Sequence, residues 1–500
     1  MMKKMYLWSL LLLLFHINAQ AQATKELPEY HITKSELEAH MRFLASDDLE
    51  GRRTGSRGSN IAARYIASYF ESYGLQTVPG APMYYQPVQF EATMPPKNGN
   101  LKIDKTEYAL GKDFLILAGD ALNVKTSAVF ANYGLEDDYN KLDVKGKIVF
   151  VLPGTPDDQS PQVIFTSGAR KRKLAAERGA VAVFELYRVP FPWNFFVSYF
   201  GKESIRLAET KPANEKQSIV YGFFKEPSPN PIMTLQNGKS LKAELKSDAG
   251  QQQALPSQNV IGIIEGTDPV LKDEYILLTA HYDHVGVGEQ GGGAYTAEDS
   301  IFNGARDNAF GTVAVLAAAR AFAIQPPKRS VIFLAVTGEE IGLLGSEYYA
   351  ENPLIPHEKV VFNLNCDGAG YNNTGAVSIF GFGRTGTDDD IRQGLQAFGL
   401  EVIPDPAPEQ NLFDRSDNVS FAIKGIPALT FSPGFNAFDQ AILQYYHQVG
   451  DNPDTIDFDY LHRYCQSYIH TARLIGDRDT RPFWKAGDKY EKAGQQLYKR

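Results

Sequence analysis

The chain has 500 residues, 43% apolar and 22% charged, with 26 Tyr and 30 Phe; this is ordinary globular usage and excludes disorder, collagen or coiled coil for the whole. Single cores rarely grow beyond roughly 250–300 residues, so two to four domains are expected. A net charge of −9 argues against a general nucleic-acid binder, which needs a basic footprint, and two cysteines, Cys366 and Cys465, are too few for a disulfide scaffold or a Cys-rich zinc site.

The N-terminus reads Met1-Met2-Lys3-Lys4, then an apolar run over 5–15, then Ala19, Ala21 and Ala23 at small-x-small spacing. Basic start, short apolar core and small-residue exit predict a cleaved signal peptide over 1–21. The run of 11 residues is too short for an anchor, since spanning needs ~20, and no later stretch reads as a span. An exported protein, periplasmic or extracellular, is expected. Loss of Lys3 and Lys4 takes its charge to −11.

Thr33 and Glu36 stand at capping-box spacing and start a helix near Lys34. Ile61, Tyr65, Ile66, Tyr69, Phe70 and Tyr73 recur at helical spacing and close on Gly74. A polar, glycine-rich loop over 49–55 lies between. From about residue 110 the texture turns to short β-like runs, 127–133 and 147–152, then a helix over 171–178 and an apolar run over 180–186. The aromatic patch 191–196 reads equally as an exposed lip or as a plug packed on a neighbouring domain. The Gln-, Ser- and Ala-rich stretch 246–257 reads as a linker. Beyond Asn259 come strand-like runs at 260–264, 275–280, 330–336 and 359–365, with an alanine-rich helix over 311–322. Continuous apolar strands alternating with helices predict an α/β domain whose mixed, mostly parallel sheet is flanked by helices on both faces.

Five polar groups stand at the ends of these strands or in the loops after them, where open α/β sheets place function. His281-Tyr282-Asp283-His284 follows the strand over 275–280, and Asp283 is placed to accept the second N–H of a metal-ligating His281. Asp307, in Asn303-Gly304-Ala305-Arg306-Asp307-Asn308, precedes a helix and taken alone needs no role beyond the helix N-terminus. Glu339-Glu340 follows a buried strand. Adjacent carboxylates there repel unless they are a solvated surface pair or a divalent metal compensates them, one ligating and the other acting as general base on water. Asp367 and His447 complete the group. Two histidines and three carboxylates suit zinc, leaving Glu339 as base. Cys366 neighbours Asp367, but on an alternating strand it points the other way.

This pattern resembles the two-zinc aminopeptidase family, which also includes glutamate carboxypeptidase-like enzymes and glutaminyl cyclases. Its motifs are matched by His281-Tyr282-Asp283, Gly304-Ala305-Arg306-Asp307-Asn308, Glu339-Glu340-Ile341-Gly342-Leu343-Leu344-Gly345-Ser346, Asn365-Cys366-Asp367 and His447. Leu44 to Arg52 is similar to the N-terminal signature of secreted members. Lys145-Gly146-Lys147-Ile148-Val149 with Glu177-Arg178-Gly179-Ala180 is similar to an inserted protease-associated (PA) domain. The resemblance implies two zinc ions per chain, bridged by Asp307, one further held by His281 and Asp367, the other by Glu340 and His447. It implies Glu339 as general base, Asp283 in support of His281, and Tyr446 as a stabiliser of the oxyanion. The implied layout is a peptidase domain over 24–109 and 250–480, a β-rich PA insert over 110–249 and a C-terminal tail over 481–500. The implied activity is a secreted zinc exopeptidase acting on the amino end of a peptide substrate. Alternatives are a carboxypeptidase or dipeptidase of the same fold, a one-zinc glutaminyl cyclase, and an inactive receptor-like ectodomain. Arg306, Phe310 and Asn418 depart from the family pattern and bear on substrate preference. Arg306 and Arg415 are the arginines nearest the motifs and the candidates for holding a substrate carboxylate.

Overall fold

Thr33 caps the first helix, α1 (Lys34–Leu44), its hydroxyl accepting the Glu36 amide at 3.3 Å. The second, α2 (Arg57–Ser72), ends where expected, at Gly74. The glycine takes φ +79°, and the amides of Leu75 and Gly74 reach back 3.0 Å to the carbonyls of Phe70 and Glu71, closing the last turn. The computed structural model describes residues 30–208 and 219–499; the leader read over 1–21 lies outside the described residues.

The chain divides into two compact units, one comprising residues up to Gln86 and from Asn259 onward, the other Pro87–Gln258. The second unit is wider than the insert expected over 110–249, because Gly99–Ile103 and Thr106–Ala109 are strands of its sheet, the former pairing with Leu241–Ser247. The stretch 246–257 is therefore no linker but the end of one strand and the start of another, Gln251–Ile264. Polar composition signals loops only by correlation; the alternating burial of Leu241–Ser247 is that of an ordinary half-buried strand.

Four parallel strands, Leu122–Phe130, Ile148–Val151, Ala182–Leu186 and Val220–Phe224, form the centre of that unit's eight-stranded sheet. Both sheet faces are buried. Phe114, Phe150, Phe184 and Phe224 fill one, and the other is covered by the helices Pro161–Glu177 and Trp193–Phe200. The aromatic patch splits between its two readings. Trp193 and Phe196 are buried in the unit's own core, whereas Phe191 and Phe195 are exposed.

The first unit is built on strands β1 (Gln251–Ile264), β2 (Tyr275–His281), β3 (Ser330–Val336), β4 (Val360–Cys366), β5 (Ala376–Phe380), β6 (Glu401–Pro404) and β7 (Ala428–Pro433), in the order β6-β5-β7-β4-β2-β3-β1. Strands β3, β2, β4 and β7 are mutually parallel; β1 and β5 run antiparallel to their neighbours β3 and β7. Every residue of β3, β4 and β7 is buried; β3 accordingly reads as an apolar run, while β4 and β7 also bury Asn363, Asn365, Thr430 and Ser432. One face carries α3 (Phe310–Ile324), packed with α1, α2 and the C-terminal α4 (Phe458–Gly476). The other carries Tyr349 and Phe421. Contrary to the sequence expectation, Ala305–Ile324 is long and apolar enough to cross a membrane, but 83% of that stretch is buried within the fold. Residues 481–499 are not a loose tail. Trp484 is buried against Phe413 and donates to the Gly425 carbonyl at 3.1 Å, and Glu491–Leu497 is helical.

Candidate metal centre

The parallel strands deliver their polar residues to one edge of the sheet. His281 ends β2; Glu339 and Glu340 follow β3; Asp367 follows β4. Asp307 arrives from the turn ahead of α3, which Asn308 pins to the end of β4. Its side-chain amide donates to the Cys366 carbonyl at 2.9 Å and its oxygen accepts the Gly311 amide at 3.0 Å. A Cβ on Gly311 would lie 2.4 Å from that same carbonyl, so only glycine allows this approach. His447 comes from an irregular loop, its backbone left-handed at φ +53°.

His281 Nδ1–H donates to the Asp283 backbone carbonyl at 3.2 Å, which corrects the expectation for Asp283: its carboxylate is 3.9 Å from that nitrogen. The Asp283 carboxylate is held instead by the Thr54 hydroxyl at 2.7 Å and the Glu339 amide at 3.3 Å, so it supports the glutamate turn. The Nδ1 bond leaves the His281 Nε2 lone pair facing Asp367 Oδ1 at 3.2 Å, Asp307 Oδ1 at 3.4 Å and Glu339 Oε2 at 3.9 Å. His447 Nε2 faces Glu340 Oε2 at 3.0 Å and Asp307 Oδ2 at 3.3 Å. Asp307 thus offers one oxygen to each histidine, and two clusters share it.

These spacings fit zinc. Bonds of about 2.0–2.1 Å from one ion place tetrahedral donors about 3.3 Å apart, and the four closest nitrogen–oxygen distances are 3.0–3.4 Å. At such range each nitrogen either donates a proton to its carboxylates or shares a cation with them. The electrostatics agree. Burial, with Asp367 and Glu340 alongside, pushes Glu339 well above the usual carboxylate range. Burial and Asp307 would raise Glu340 as well, but His447 and His284 hold it down at about 2. Burial likewise opposes ionisation of Asp307, and hydrogen bonds from His281 and His447 hold it well below the ordinary value.

The sequence reading missed the supports of these groups. His284 Nδ1–H donates to Glu340 Oε1 at 2.6 Å, while its Nε2 is buried without a partner. It stood in the His-Tyr-Asp-His run, but a second histidine there carries no distinguishing signal. Ser416 donates to Asp367 and receives the Asn365 side-chain amide at 2.7 Å. Arg52, buried, donates to the carbonyls of Tyr282, Leu44, Asn303 and Gly304, tying the loop over 49–55 beneath the centre. Cys366 points away, its sulfur 3.0 Å from the Tyr464 hydroxyl in the core, and both cysteines are free and buried.

A cleft of about 550 Å³ opens over the cluster, its apolar wall formed by Phe380, Leu412, Phe435, Phe438 and Tyr446. The Tyr446 ring lies 4.2 Å from that of His447. Arg415 is exposed on the cleft wall. Arg306 is not in the cleft: its guanidinium is buried on Asp451 and Thr455, so it cannot hold a substrate carboxylate. Phe310, buried against Tyr464, and Asn418, bonded to Phe413 and Thr430, are likewise packing residues.

Residues 259–472 match the family model described as Peptidase family M28. The matched segment holds both clusters in full. Over 288 residues the chain is 27% identical to aminopeptidase YwaD of Bacillus subtilis, a match covering 56% of this chain and 53% of that protein. It is 33% identical to the vacuolar membrane protease of Saccharomyces cerevisiae over 114 residues, 23% of this chain and 10% of that one. The chain thus spans about half the length of the first of these relatives and a tenth of the second. Among solved structures, the aminopeptidase from Aneurinibacillus sp. strain AM-1 matches with a TM-score of 0.56 at 22% identity, over 91% of this chain and 97% of that one, a likeness of fold.

Proposed function

We propose that the chain is an exported zinc exopeptidase that removes residues from the amino end of peptides. The observation that carries this reading is the Asp307 carboxylate, split between His281 at 3.4 Å and His447 at 3.3 Å. His281, Asp367 and Asp307 would hold one zinc ion, and His447, Glu340 and Asp307 a second. When bound, such a pair lowers the pKa of water and polarises a scissile carbonyl. Glu339 takes the proton of the attacking water and passes it to the leaving amine, a transfer usually worth ~10²–10⁴-fold. The Asp283 carboxylate fixes the turn that presents Glu339 through the Glu339 amide. Tyr446, on the cleft wall beside His447, would donate its hydroxyl to the developing oxyanion. The apolar wall receives a hydrophobic side chain, and the carboxylates above it favour an ammonium terminus. The M28 match and the aminopeptidase names of similar proteins support the same reading. Export rests on the leader pattern over 1–21.

Arg415 favours one second reading. An exposed guanidinium on the cleft wall suits a substrate carboxylate, as a carboxypeptidase or dipeptidase requires. One peptide in free, N-acetylated and C-amidated forms separates the two. An amino-end enzyme cuts the free and amidated forms and spares the acetylated one; the opposite pattern assigns the cleft to carboxyl termini.

A further inference from the structure

Four of the five candidate zinc ligands stand at strand ends or in a turn bonded to one, but His447 does not. Its loop follows the short helix Gln440–Leu443, its backbone sits at φ +53°, and its side chain is 30% exposed. A non-glycine residue is strained there and persists only where its surroundings over-determine it. Arg306 supplies that restraint. Its guanidinium lies 3.7 Å from the ring of Tyr445, two residues before His447, and 5.1 Å from Tyr371 on another side. It donates to Asp451 Oδ1 at 2.9 Å, to the Thr455 hydroxyl at 2.7 Å and to the Thr455 carbonyl at 2.8 Å. The other Asp451 oxygen accepts the backbone amides of Arg306 at 2.8 Å and Asp307 at 3.4 Å. Gly370, in the loop beyond Asp367, leaves room for the stem: a Cβ there would lie 3.2 Å from Arg306 Cδ.

We infer that Arg306 is a positioning residue that clamps the His447 loop onto the Asp307 turn, so that the zinc site shared by His447, Glu340 and Asp307 is assembled only while the clamp holds. This rests on the two-zinc reading above. The clamp requires a planar fork that bonds several acceptors while stacking on a ring, which lysine cannot provide. It grips both sides of His447, through Tyr445 and Asp451, and touches neither His281 nor Asp367. The Asp307 amide keeps its own bond to Asp451, so loss of the guanidinium should be felt at the site that His447 completes.

The test is zinc stoichiometry and affinity by chelator competition, with the visible spectrum of the cobalt-substituted protein as a geometric readout. Wild type, Arg306→Met, Arg306→Lys and, as reference, His447→Ala are compared. Both Arg306 variants should keep one ion at wild-type affinity and bind the other ~10–100-fold more weakly, the scale of ligand-orienting contacts. Their cobalt spectra should shift towards that of His447→Ala. If Arg306→Met does not fold, Tyr445→Leu, which removes the stacked ring alone, must weaken the same single site. Two ions at wild-type affinity in the Arg306 variants overturn the inference, as does equal weakening of both or full rescue by lysine. A wild-type protein that binds no zinc refutes the two-zinc reading itself, and the inference with it.

Discussion

Replacing Asp307 by Ala is the perturbation that most directly probes a shared ligand. The carboxylate is the only described group that faces both histidines, at 3.4 and 3.3 Å. A four-donor zinc site in a small domain is worth about 10–16 kcal/mol, so one donor in four carries about 3–4 kcal/mol, or roughly 10²–10³-fold in affinity. For Asp307→Ala that loss applies to both sites at once, whereas Glu340→Ala should weaken one. Dialysis against a graded chelator series, with bound zinc measured by mass spectrometry, should show two ions released together from Asp307→Ala and one from Glu340→Ala. The thermal midpoint supplies an independent reading. An ion held at a thousand times its Kd adds about 4 kcal/mol of stability that the variant loses. Retention of two ions at unchanged affinity by Asp307→Ala would refute the bridge, and loss of one only would assign the residue to a single site.

Glu339→Ala should keep its zinc but lose ~10²–10⁴-fold or more in kcat; the reverse pattern, metal lost and turnover kept, would exchange its role with that of Glu340. Zinc binding should release protons. Burial alone would lower the histidines, but Glu340 and Asp307 raise His447 to about 10, and Glu339 and Asp367 raise His281 well above 6.5. The metal-free fold therefore draws stability from two protons that is complete below pH ~6.5 and is lost, for His447, as pH rises through about 10. Zinc displaces both at pH 7, so its affinity should climb with pH, and calorimetry in buffers of different ionisation heat should report about two protons released; a buffer-independent heat would contradict the protonated histidines. In the second unit, Lys171→Met should cost about 3–5 kcal/mol in denaturant unfolding, because it strands the buried Glu185 carboxylate, and a Lys171→Met/Glu185→Leu pair should recover most of that; an unchanged midpoint for the single variant would mean that water reaches the carboxylate.

The α/β class was legible because β3 is buried on both faces and so reads as an apolar run, a pattern local sequence records, whereas β7, equally buried but reading Ala428-Leu429-Thr430-Phe431-Ser432-Pro433, carries no such signal. Local capping was legible for the same reason: Thr33 and Gly74 act on their own turns. What escaped depends on partners distant in sequence. Nothing near Arg52 announces that its guanidinium meets carbonyls about 230–250 residues away, and Arg306 is distinguishable from a cleft cation only once Asp451 and Tyr445 are seen around it. Asp283 failed in a subtler way. The i, i+2 spacing brought it beside His281, but the backbone carbonyl of the same residue lies nearer the imidazole than its carboxylate does, at 3.2 against 3.9 Å. Residues 246–257 read as a loop because they are polar and, from Gln251 to Pro256, lie in a strand without being buried.

Both units bury charge, and the way each disposes of it separates a structural cluster from a functional one. In the second unit Lys171 and Glu185 are fully buried and 2.6 Å apart; the other Glu185 oxygen accepts the Tyr221 hydroxyl at 2.6 Å, and the ammonium also donates to the Leu152 carbonyl at 2.8 Å. Charge there cancels and nothing is left over for a ligand. The peptidase unit does the opposite. Asp283, Asp307, Glu339, Glu340 and Asp367 crowd one edge of the sheet, with Arg52 buried beneath them and His281, His284 and His447 among them. Two like charges 4 Å apart cost about 4 kcal/mol at an effective dielectric of 20, several times the net worth of an ordinary hydrogen bond. Even with all three histidines protonated the five carboxylates outnumber the cations, and Asp417 beside them is pushed up to about 7 by burial. A single divalent ion with neutral histidines leaves the cluster two or three charges negative. Two bring it to within one charge of neutrality. The excess of carboxylate is therefore of the size that the proposed pair of zinc ions cancels, and a one-zinc centre such as that of a glutaminyl cyclase would leave about half of that excess in place.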